Sequence, residues 1–102
     1  GGRRAYLGLI GRPRALSRRL ARMHGLSRDA GVEVVEVNPD GPAARASVRT
    51  GDVIVAINDN AISTVDDLHR ALGDWPIGER LELHVLRGTQ RYLLELVPAE
   101  AS

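Results

Sequence analysis

The run "GDVIVAIN", residues 51–58, sets the hardest constraint in this chain. Val53, Ile54, Val55, Ala56 and Ile57 follow one another with no polar residue between them, and four of the five are β-branched. A strand with one wet face alternates; this one does not, so it is predicted to be buried on both faces. The other segments must supply cover for both. "GVEVVEV", residues 31–37, alternates enough for a strand with one wet face. "NPDGPAARAS" predicts a turn and a short helix with Pro42 at its first position, and "NDNA" a turn followed by a stub of strand. In "STVDDLHRAL" a capping-box pair, Ser63 with Asp66 or Thr64 with Asp67, precedes the stripe Val65, Leu68, His69, Leu72 on one helical face. Residues 79–98 read as two strands about the turn Arg87-Gly88-Thr89, with Pro98 ending the ladder.

Two segments precede these. Residues 6–10 read as a strand, yet "AYLGLIG" places Gly8 between two leucines. A glycine inside a strand marks a close approach of backbone to a ligand or to a second chain. "ALSRRLARMHGL" predicts a helix over residues 16–24, with Leu16, Leu20 and Met23 inward and Gly25 as its stop. The sum is an α+β domain of five or six strands and two or three short helices, a small partly open barrel or sandwich.

The net charge of +1 conceals a division. All fourteen basic residues are arginine, and eight of them, from Arg3 to Arg28, precede the first acid, Asp29. The division suits an anionic partner, attraction between two parts of one fold, or a solvated face in an arginine-biased chain. Binding of nucleic acid or another anionic surface through these arginines is one reading, but the basic segment has a single aromatic, Tyr6, and so lacks a stacking platform. No run of about 18 apolar residues is present, so no membrane insertion is expected. The start, "GGRR", lacks the apolar stretch of a signal peptide, and the chain reads as a piece of something longer.

Catalytic chemistry is not expected. There is no Gly-x-Ser-x-Gly elbow, no cysteine, and no lysine for a phosphate loop or a Schiff base. His24, His69 and His84 match no zinc spacing, and the aspartates stand where turns and caps use them. No cofactor, metal or catalytic residue is predicted.

"YLGL" with "GPAARASVRTGDVIVAINDNAISTVDDLHRAL" resembles the PDZ domain family, in the element order of the type that follows the protease domain of bacterial HtrA (Deg-type) serine proteases. The resemblance spans residues 3–98. It implies a linker or appended residues at 1–4, a PDZ domain at 5–98 and a C-terminal tail at 99–102. It also implies a peptide-binding module for peptide C-termini or unfolded protein segments, serving quality control in the bacterial periplasm or cell envelope. The protease domain, with its triad, would lie upstream in a parent that is membrane-anchored in one arrangement. Tyr6, Leu7, Gly8 and Leu9 then form the carboxylate-binding loop, where successive backbone amides converge on one anion. Gly8 keeps that space free of a side chain, and Arg3 or Arg4 backs the carboxylate with positive charge. The groove is made by Ile10 and Gly11 on the strand and by Val65, Leu68, His69 and Leu72 on the helix. Leu7, Leu9 and Leu72 line the pocket for the last side chain. Val65 faces the side chain two before the end and, lacking a hydrogen bond, implies an apolar preference there; His69 makes binding pH-dependent around an ordinary value of about 6.5. Gly11 departs from the family's β-branched residue and implies a groove that is shallow or frayed beyond Ile10. A PDZ scaffold or steric filter in a site-2 protease or a secretion component stays open as the alternative.

Overall fold

The computed structural model describes residues 4–101, which form, in chain order, β1 (Arg4–Tyr6), β2 (Leu9–Ala15), α1 (Arg18–Met23), β3 (Ala30–Val37), α2 (Pro42–Arg45), β4 (Val53–Ile57), β5 (Asn60–Ala61), α3 (Val65–Gly73), β6 (Leu81–Arg87), β7 (Gln90–Leu96) and β8 (Ala99–Ala101). An antiparallel six-stranded sheet runs β2-β3-β4-β6-β7, with β5 folded back onto β4. It does not close into a barrel: β2 and β7 are its two edges. All five residues of β4 are buried, as its unbroken apolar run requires.

The cover for its two faces comes from different helices. Ile54 and Ile57 join the main core with Val32, Val34, Leu83 and Val85, closed by Leu68 of α3 and Ala43 of α2. Val53 and Val55 face the other way and, with Leu86, pack against Leu16, Leu20 and Leu26 around α1. That helix is shorter than its pattern predicts. Ser17 caps it, accepting from the Leu20 N–H, and Gly25, at φ +64°, follows its end. Met23 is not inward: it is 53% exposed, and the buried residue of the helix is Ala21, two positions earlier and on nearly the opposite side. Leu16 lies before the helix begins at Arg18, so the inward face is the one that carries Leu20 and Ala21.

The first strand of the sequence reading is two strands. Tyr6 ends β1, residues 7–8 form a loop, and β2 starts at Leu9. β1 pairs with β8, Arg4 opposite Ala101 and Tyr6 opposite Ala99. The segments read as linker and tail therefore contribute strand to each other. β2 does not fray beyond Ile10 but stays paired with β3 as far as Ala15 opposite Ala30.

Part of the charge division is resolved inside the fold. Arg12 and Arg14 both reach Glu33 across the β2–β3 pair, at 3.2 and 3.1 Å, and hold its carboxyl below the ordinary range. In α3 the capping box is the Thr64–Asp67 pair: the Thr64 hydroxyl accepts from the Asp67 N–H, and the Asp67 carboxylate accepts from the N–H groups of Ser63 and Thr64. The Ser63 N–H is the main cause holding the Asp67 carboxyl below its usual 3.8. A lowered folded value means the contribution is complete above the ordinary value and fades as pH falls through the folded one. Asp67→Ala is expected to cost about 1 kcal/mol at neutral pH. The gap in urea midpoint from the parent chain should narrow as pH falls below the ordinary 3.8; a gap that stays constant would rule the carboxylate out.

Candidate functional site

The loop after β1 is held by its carbonyls. Leu7 C=O accepts from the Ala43 N–H at 2.8 Å, satisfying a donor at the start of α2, and Gly8 C=O accepts from the Asn38 N–H at 2.8 Å. In a trans peptide unit the C=O and N–H point to opposite sides, and no cis peptide is present. Anchoring these two carbonyls on the segment between β3 and α2 therefore turns the N–H groups of Gly8 and Leu9 the other way. Among the described residues neither the Leu7 nor the Gly8 N–H donates to another residue. The Leu7 N–H belongs to the peptide unit of Tyr6, the last residue of β1.

On that side lies a cavity of about 380 Å³ between β2 and α3. It is lined by Ala5, Tyr6, Leu7, Gly8, Leu9, Ile10 and Gly11 on one wall and by Val65, Leu68, His69 and Leu72 on the other. The ten residues that the sequence places in loop and groove thus come together in one cleft. Leu7 and Leu68 are buried and belong to the core as well; Leu9, Val65 and Leu72 are half-buried against it, and His69 is exposed at the rim. Arg3 and the side chain of Arg4 lie outside the described residues. No carboxylate or guanidinium lines the cleft among the described residues; an anion there would meet the main-chain N–H groups of the loop, with the Tyr6 hydroxyl and the His69 ring as the polar side-chain groups of the lining.

The reason for each glycine differs from the sequence reading. Gly8 stands at φ +81°, and a Cβ there would point not into the cleft but at the β3–α2 segment, 3.1 Å from the Gly41 Cα. Gly41 returns the contact, its own Cβ position lying 3.1 Å from the Gly8 Cα. The two glycines let two backbones touch, and that contact sets the loop's curl. At Gly11 a Cβ would fall 2.4 Å from Val32 Cγ1. The strand is not loosened there; a buried valine from β3 fills the space a side chain would take.

Asn38 and Gly41 are the positioning residues the sequence reading passed over as turn formers. Besides its backbone bond to Gly8, Asn38 donates from Nδ2 to the Tyr6 hydroxyl at 3.0 Å and accepts the Asp40 N–H on Oδ1 at 3.0 Å. The Asx-turn signal in "NPDG" located the turn but not its partner across the fold.

The histidines divide. His24 and His84 border a second cleft, of about 290 Å³, on the side of β4 that carries Val55. Arg91 ties the two histidines together there. Arg91 Nη1 donates to the His24 C=O, and Nη2 meets His84 Nδ1, each at 2.8 Å. His84 Nε2 then carries its proton toward Glu82 at 3.0 Å. Only His69 belongs to the cleft between β2 and α3.

A family model described as "PDZ domain" matches residues 14–97. Among curated proteins the chain is 35% identical over 91 residues to a probable periplasmic serine endoprotease DegP-like of Pseudomonas savastanoi pv. phaseolicola, covering 89% of this chain and 19% of that protein. To the protein of that description from Halomonas elongata it is 34% identical over 84 residues, 82% of this chain and 17% of the other. The chain thus spans about a fifth of the length of these curated relatives. Among solved structures it is similar to an HtrA-type protease AlgW with decapeptide, at TM-score 0.76 and 31% identity, covering 98% of this chain and 30% of that one. It is also similar to the HtrA3 PDZ domain bound to a phage-derived ligand (FGRWV), at TM-score 0.71 and 25% identity, covering 97% of this chain and 88% of that one.

Proposed function

This chain belongs to the PDZ domain family, and from that premise we propose that it takes the C-terminal end of a peptide into the cleft between β2 and α3, as the substrate-recognition and regulatory domain of an HtrA-type serine protease. As a PDZ domain it is a non-catalytic module; hydrolysis belongs to a protease domain elsewhere in the parent protein. The similar proteins carry periplasmic names, which supports a periplasmic or envelope setting. Peptide-bound members with similar structures support a peptide as the guest.

One observation carries the reading. The anchored carbonyls of Leu7 and Gly8 leave the N–H groups of Gly8 and Leu9 turned to a cleft whose lining holds no carboxylate to repel an anion. A carboxylate there completes them with charge-assisted hydrogen bonds, the last side chain enters among Leu7, Leu9 and Leu72, and the guest backbone pairs along the free edge of β2. Burying one apolar side chain contributes roughly 1.5–3 kcal/mol, and each net hydrogen bond about 1 kcal/mol. The sum reaches little beyond micromolar affinity, about 8 kcal/mol. Such a reader is reversible and gains from being tethered to a protease.

The test compares a peptide of apolar residues bearing a free C-terminal carboxylate with its amidated form, titrated by NMR. The free acid should bind at least tenfold more tightly and shift the Gly8 and Leu9 amide signals. Equal affinities would remove the carboxylate from the account.

A further inference from the structure

The free edge of β2 is not uniform. Because Gly8 C=O accepts from the Asn38 N–H, the pair Leu9–Val37 exchanges no hydrogen bonds, and Leu9 presents both its N–H and its C=O to the open side. The irregularity that follows belongs to β3: Ile10 pairs with Glu36 and Gly11 with Val34, so Val35 is the extra residue and β2 keeps its period of two. Gly11, Pro13 and Ala15 therefore face outward with Leu9. The partner strand gives the same parity independently. Val34, opposite Gly11, donates to Asp52 C=O at 2.7 Å and accepts from the Gly51 N–H at 2.8 Å, so its backbone groups point to the far side of β3.

Pro13 is thus an edge-strand proline whose nitrogen faces the open side. There it costs the β2–β3 ladder nothing. It does cost a guest strand. An antiparallel guest draws its bonds from every second residue of β2: Leu9 serves the peptide's last residue and Gly11 the third from the end. Pro13 would serve the fifth, but it has no N–H, and its ring Cδ projects where the hydrogen would point, holding the guest away.

We propose that Pro13 is a specificity-determining residue that closes the guest-strand template after Gly11, so that the domain reads backbone no further than the third residue from the end of a peptide. The proposal rests on β2 as the strand that accepts the peptide. Residues further upstream leave the sheet edge, and a long substrate is recognised by its end alone.

The experiment titrates an apolar tetrapeptide with a free carboxylate, and the same peptide lengthened by three alanines upstream, into the parent chain and Pro13→Ala. Pro13 is exposed, and opposite Val32 its nitrogen and carbonyl face away from β3, so the variant keeps its fold. For the parent chain the two peptides should bind within twofold of each other. For Pro13→Ala the longer peptide should gain about threefold to tenfold. The new amide at position 13 should exchange slowly with solvent only when the longer peptide is bound. An equal gain with length in both proteins, or none in the variant, overturns the role of Pro13 and leaves strand addition standing. If neither peptide binds either protein, strand addition itself fails and this inference with it.

Discussion

Asp52→Ala is expected to lower the stability of the domain by about 3 kcal/mol, read as an earlier urea midpoint at unchanged slope. Asp52 is 1% exposed and its carboxylate is fully engaged. Oδ1 accepts from Arg87 Nε at 2.8 Å, and Oδ2 accepts from Arg87 Nη2 at 2.8 Å and from the Arg49 N–H at 2.9 Å. The bond to Asp52 is the main cause holding the Arg87 guanidinium even more firmly protonated than usual. Alanine would leave that cation with the Ser47 C=O at 3.2 Å and the face of Tyr92 at 4.7 Å. Breaking one side of a buried pair costs about 3–5 kcal/mol. The low end applies because the Arg87 side chain is 25% exposed and water reaches it. The double variant Asp52→Leu with Arg87→Met leaves no uncompensated charge and should recover much of the loss. A single variant costing less than about 1 kcal/mol, the ordinary worth of a surface pair, would show that burial does not matter here.

Gly8→Val is expected to cost about 3 kcal/mol of stability and at least tenfold in peptide affinity, from two causes that add. Valine at φ +81° enters a region that costs an L-residue about 1–2 kcal/mol. Its Cβ, 3.1 Å from the Gly41 Cα, also pushes two backbones apart, and overpacking of this kind costs about 1–3 kcal/mol. Gly41→Ala separates the causes. Gly41 has an ordinary φ of −96°, so only the contact is lost. It should cost about half as much, while displacing the loop enough to weaken binding. Equal costs in thermal melts of the two variants would mean that the left-handed backbone contributes nothing.

How legible each part was follows from the range of the signal. The α3 stripe and its Thr64–Asp67 box depend on residues within one or two turns, and helix, cap and the residues that face the cleft were readable together. The buried β4 run was readable because five apolar positions in a row leave no alternative. Pairing across the chain was not. β1 and β8 are three residues each, too short to alternate, and only the fold brings them together. Gly8 announced a close backbone approach, but its neighbour, Gly41, stands far along the chain in what reads as a plain turn. Met23 and Ala21 exchanged places because Leu16 stands outside the helix and the inward face is set by Leu20 and Ala21 instead. Asp52, correctly placed beside a turn, gave no sign of Arg87 because ion-pair partners on different strands share no spacing.

The β1–β8 pair also has a mechanical side. Arg4 and Ala101 stand opposite each other in an antiparallel ladder, so tension applied at these two points opens it like a zipper, one rung at a time, rather than shearing all rungs at once. The next stretch to feel that load is residues 7–8, whose carbonyls are pinned to the far side. A taut tether at both points would therefore load residues 7–8 on the way to β2 and residues 97–98 on the way to β7, the two edges of the six-stranded sheet.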